Sequence, residues 1–136
     1  MVYILTSLES FFVDKVRHIP CEEDTKAYIV STFVGFKKCE PDHNLYGKSI
    51  TLEYNKAQLE HSFELYQQVG DWILFTKSMY PESLTASEEY YDSIAQLSYY
   101  KCYRIVNKQW QLYKELATKF PIVVKYLRDE MRDVSK

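Results

Sequence analysis

Apolar side chains recur every three or four positions over most of this 136-residue chain. That spacing gathers them on one side of an α-helix, and a chain so patterned buries helix against helix. Thr6-Ser7-Leu8-Glu9 has the form of a capping box, and Leu8, Phe11, Phe12, Val16 and Ile19 follow at helical spacing until Pro20. Glu22, Glu23 and Asp24 favour a second helix start through the helix dipole. Ala27, Val30, Phe33 and Val34 continue it to Gly35. The run Ile29-Val30-Ser31-Thr32 leaves a strand as the alternative there.

Residues 36–51 hold Pro41, Asp42, Asn44, Gly47 and Ser49, a loop composition. A long third helix is expected from Tyr54 to Met79, with Leu59, Phe63, Tyr66, Gly70 and Ile73 on one face. Gly70 inside it marks a close helix contact or a kink, because glycine costs about 1 kcal/mol against alanine there. Tyr80-Pro81 ends that helix. Thr85-Ala86-Ser87-Glu88 reads as a second capping box, opening a fourth helix to Val106. Trp110, Tyr113, Leu116 and Phe120 define a fifth, and Pro121 starts, or kinks into, a final helix with Val124, Leu127, Met131 and Val134. The expectation is an all-α, five- to six-helix bundle-like single domain over residues 1–136.

The length suits one core, and 46% hydrophobic with 26% charged residues is an ordinary globular balance. A net charge of −2, with Lys37-Lys38 as the only adjacent basic pair, argues against nucleic acid. The uncharged apolar run Trp72-Ile73-Leu74-Phe75 falls far short of the ~20 residues a membrane-spanning helix requires. The amino terminus carries no basic leader, so no signal peptide is expected. Three cysteines, Cys21, Cys39 and Cys102, cannot all pair, which fits a reducing cytoplasm.

The run Gly70-Asp71-Trp72-Ile73-Leu74-Phe75-Thr76-Lys77-Ser78-Met79-Tyr80-Pro81-Glu82-Ser83-Leu84, followed by Tyr90-Tyr91, resembles a family of small bacterial proteins. That family shows Gly-Asp-x-x-Leu-Phe-x-x-Gly-Phe-Phe-Pro-Glu-x-Leu and then a tyrosine pair. Here Ser78 stands for the glycine, and Met79 and Tyr80 for the two phenylalanines. Asp24-Thr25-Lys26-Ala27-Tyr28-Ile29-Val30 looks like a further stretch of the same family. The resemblance implies a bacterial origin and a helical fold. It brings no activity, cofactor or substrate.

Within that motif, Asp71 and Glu82 would form a general acid-base pair only if they met in one cleft. The structural reading is that Gly70 permits a close crossing, Phe75 and Tyr80 pack, Pro81 stops the helix, and the carboxylates cap amides. His18-Ile19-Pro20-Cys21 with Cys39-Glu40-Pro41-Asp42-His43 offers zinc-type ligands. A helix between the two pairs would hold them roughly 20 Å apart, so no metal is expected. Only Glu40-Pro41-Asp42-His43 has the spacing of a di-iron ligand pair, and it lies in the proline loop. His61, beside Glu60 and Glu64, reads as an exposed helical histidine. No phosphate-binding loop, zinc-protease motif or nucleophile elbow occurs, so neither a cofactor nor a catalytic role is expected.

Thirteen tyrosines remain to be explained. On the fourth helix, Tyr90, Tyr91, Ile94, Leu97, Ser98 and Ile105 read as one side, with Tyr99, Tyr100 and Tyr103 over the other beside Asp92 and Gln96. Either the helix is central and buried on both sides, or Tyr99, Tyr100 and Tyr103 meet a protein partner or a second copy of the chain. The functional expectation is a non-enzymatic interaction or regulatory module. The alternative is a small-ligand binder or unrecognised enzyme with a pocket between the third and fourth helices.

Overall fold

A computed structural model describes residues 7–39, 49–84, 86–106 and 111–132, with Cys39 through its backbone alone. These residues form α1 (Ser7–Val16), α2 (Glu23–Cys39), α3 (Ile50–Glu60), α4 (Phe63–Met79), α5 (Glu88–Ile105) and α6 (Gln111–Arg132), with a 3-10 turn at Pro81–Ser83. No strand occurs among them, and the run 29–32 is helical. The fold is therefore an all-α helical bundle.

Besides α1, which ends at Val16 rather than running to Pro20, four boundaries differ from the sequence reading. The expected helix 54–79 is two helices, parted at His61, which takes a left-handed conformation (φ 49°, ψ 42°), and at Ser62, whose hydroxyl accepts from the Leu65 amide. A histidine-serine break gives none of the glycine or proline signals that mark most helix ends. The second helix does not stop at Gly35 but runs on to Cys39, so the loop expected over 36–51 is shorter at both ends; residues 40–48 lie outside the described residues. At the fourth helix the cap is Ser87, which accepts from Tyr90 N at 3.2 Å. Thr85 lies outside the described residues.

The fourth difference is Pro121, which neither starts a helix nor divides one: α6 is continuous around it. A proline inside a helix has no N–H for the carbonyl four residues back, here that of Ala117. Gln96 Nε2 of α5 donates to Ala117 O at 2.9 Å instead. A neighbouring side chain thus supplies the missing donor.

α4 runs through the middle, packed on α5, α6, α3 and α2, while α1 lies on α2 and α6. Aromatic rings knit these layers. Phe75 stacks on Phe36 at 4.8 Å between centroids and meets Phe33 edge-on at 5.2 Å; Phe33 in turn meets Phe12 at 5.5 Å. Each such buried ring contributes about 1.5–3 kcal/mol by burial alone.

Charge is buried at one end of the bundle. Lys77, its side chain 3% exposed, pairs with Asp92 at 2.5 Å, joining the end of α4 to the start of α5. Arg128 of α6 closes the same corner through Glu88 at 2.8 Å and the Lys77 carbonyl at 3.2 Å. That guanidinium, by hydrogen bond and by charge, holds the Glu88 carboxyl below its ordinary pKa.

Candidate functional site

Of the three tyrosines expected on an interaction face, only Tyr100 is at the surface, 46% exposed. Tyr99 is 0% and Tyr103 8% exposed. Tyr91, Ala95, Ser98, Tyr99, Cys102 and Tyr103 are the buried residues of α5. At about 100° per residue they fall within one arc of roughly 140°. The sequence reading set Tyr99 and Tyr103 on the side of α5 opposite Tyr91, buried if the helix is central; both are buried, but on the same side as Tyr91. They share the inward stripe with Tyr91.

The inward stripe builds a polar cluster around Asp71. The Tyr28 hydroxyl donates to Asp71 Oδ1 at 2.7 Å and lies 2.8 Å from Oδ2, and Tyr99 donates to Oδ1 at 2.7 Å. Gln67 Nε2 donates to Tyr113 at 2.8 Å beside them, and the rings of Tyr28 and Tyr113 meet edge-on at 5.5 Å. Side chains of α2 and α5 thus reach the carboxyl on α4, and Tyr113 of α6 packs beside them. Burial pushes Asp71 up to about 7, against the pull of the two tyrosine hydroxyls. Tyr28 and Tyr99 are raised well above the usual phenol range, first by burial and then by the adjacent carboxylate.

Gly70 is what lets Tyr99 approach. A Cβ at position 70 would lie 3.0 Å from carbons of the Tyr99 ring. The rest of the motif turns away from Asp71. Phe75 is core, and Tyr80 meets it at 5.9 Å while its hydroxyl accepts from Lys37 at 3.0 Å. Pro81 opens the 3-10 turn, and Glu82 within that turn is exposed. Asp71 sits mid-helix, roughly 15 Å of helical rise from Glu82. The two carboxyls share no cleft.

The other singled-out side chains are scattered. His61 is an exposed cap, His18 lies exposed in the turn after α1, and His43 and the Cys39 side chain lie outside the described residues. No group of three or more His, Cys, Asp or Glu among the described residues is placed to hold a metal ion, and no described helix is long and apolar enough to cross a membrane.

Sequence reasoning missed an open trough along the outer side of α2. A hollow of about 1120 Å³ separates α2 from α6, and one of about 620 Å³ separates α2 from α1. Ala27 and Ser31 line both, so the two hollows meet over the small side chains of α2. Ala27 and Ser31 stand one turn apart on α2, but the sequence does not say which helices flank them. No family model, curated protein or solved structure matches this chain.

Proposed function

We propose that this chain is a non-enzymatic interaction module that receives a helix of a protein partner in the trough along α2. The observation that carries the reading is the pair of hollows meeting across Ala27 and Ser31. The larger, at about 1120 Å³, exceeds the roughly 300–1,000 Å³ typical of small-ligand pockets and is open to solvent. Small side chains let a second helix axis come close, and a helix laid in a groove is a recurrent mode of recognition. The Asp71 cluster is compatible with the same reading, because the Tyr28 and Tyr99 hydroxyls are already bonded to Asp71 and that of Tyr113 to Gln67. Free thiols at Cys21 and Cys102 support a reducing, intracellular setting.

The test is Ser31→Arg, an exposed position where a long charged side chain would fill the trough and leave the core untouched. Tagged native chain, co-expressed with an untagged copy in its host, is expected to recover a protein partner that Ser31→Arg loses at unchanged helical content. Recovery that ignores the substitution, or no partner with either chain, overturns the reading.

A further inference from the structure

We propose that the occupant of the trough is a second copy of this chain, with the two α2 helices antiparallel about a two-fold axis at Ser31. This rests on the trough reading and names its partner. Asp24, Ala27, Ser31, Gly35 and Lys38 are all exposed. At about 100° per residue they lie within one arc of roughly 80° along α2. Their spacing is the same in both directions from Ser31: a small residue four positions away, then a charge seven away, acidic on one side and basic on the other. An antiparallel pair centred there sets Ala27 on the partner's Gly35 and Asp24 on the partner's Lys38, each twice. A parallel pair would set Asp24 on Asp24 and Lys38 on Lys38.

Two observations point to a partner of this shape. Gly35 sits inside α2, where glycine costs helix stability, yet a Cβ there would meet nothing within 4 Å. The chain's own packing does not require the glycine, whereas a close helix crossing does. Asp24 and Lys38 are moreover without an ion-pair partner among the described residues, although Glu23 and Lys26 on either side of Asp24 pair with each other. Their charges are free to meet those of another copy. Two-fold isologous contact is the commonest way for a soluble chain to satisfy such a self-complementary face. Val13 on the α1 wall, 39% exposed, adds apolar surface for the arriving helix.

The experiment is sedimentation equilibrium of the purified full chain and four variants. The native chain is expected to dimerise. Asp24→Lys and Lys38→Glu should each weaken the dimer roughly tenfold, since each turns two attractions into two repulsions, and the two combined should restore it. Gly35→Leu should raise the melting temperature while weakening the dimer, a split that a purely structural glycine would not produce. A monomer at every concentration overturns the proposal, as does a dimer indifferent to both single charge reversals. A monomer whose capture of a different protein still depends on Ser31 would sink the second-copy assignment alone. Loss of that dependence as well would sink the trough reading with it.

Discussion

At the scale of single residues, the consequential group is Asp71. Its carboxyl is raised to about 7, above the about 3.9 of an unfolded chain. The folded state therefore binds a proton that the unfolded state has released between these two values, and the stability this group contributes falls as pH rises through that window. Thermal melts should show the native chain losing stability from pH 5 to pH 8 relative to Asp71→Asn, with the variant at least as stable at pH 8. Parallel curves for the two would refute the assignment. Gly70→Ala makes a separate prediction. The added methyl meets a ring that cannot retreat, because Tyr99 is fully buried and tied to Asp71. Overpacking should outweigh the gain in helix propensity and cost about 1–2 kcal/mol in denaturant unfolding. Gly70 was legible as a close contact, whereas Asp71 was read as an amide cap or as half of an acid-base pair and instead accepts from two tyrosine hydroxyls. Those partners were not legible, because Tyr28 and Tyr99 stand 43 and 28 residues from Asp71 and only packing brings them there.

At the scale of elements, apolar periodicity marked helical stretches but merged α3 with α4 and divided α6, because boundaries followed side-chain chemistry that periodicity does not report. The break after α3 is the example: Leu59 and Phe63 continue a helical spacing across a histidine in left-handed geometry. His61→Gly should stabilise the chain by about 0.5–1 kcal/mol, since glycine adopts that conformation without a Cβ penalty and the amide bond to Ala57 O is kept. An unchanged or lower unfolding free energy would count against that geometry. Pro121 misled for the opposite reason. A proline reads as a boundary unless the orphaned carbonyl finds another donor, and Gln96 lies on a different helix. Gln96→Ala should cost about 1–2 kcal/mol in the native chain and close to nothing beside Pro121→Ala, where residue 121 regains its N–H. Equal costs in the two backgrounds would show the bond to be incidental. The stripe of α5 was misread: Tyr99 and Tyr103 were set opposite Tyr91, whereas at about 100° per residue all three fall within one arc, and all three are buried.

At the scale of the molecule, layering predicts an order of opening. α4 packs on four other helices, whereas α1 rests on α2 and α6. Hydrogen exchange should find α4 amides slowest and α1 amides fastest among the helices, and equal protection for the two would contradict the layering. The trough could not be read from sequence because it depends on which helices stand beside α2, and α6 comes from the far end of the chain. The Asp71 carboxyl also ties folding to the solvent in a way calorimetry detects. At a pH between the folded and unfolded values, unfolding must expel a proton into the buffer. The heat absorbed on melting near pH 5.5 will then include the buffer's own heat of protonation. Two buffers of unlike ionisation enthalpy will report different unfolding enthalpies for the same protein, and Asp71→Asn will largely erase the difference.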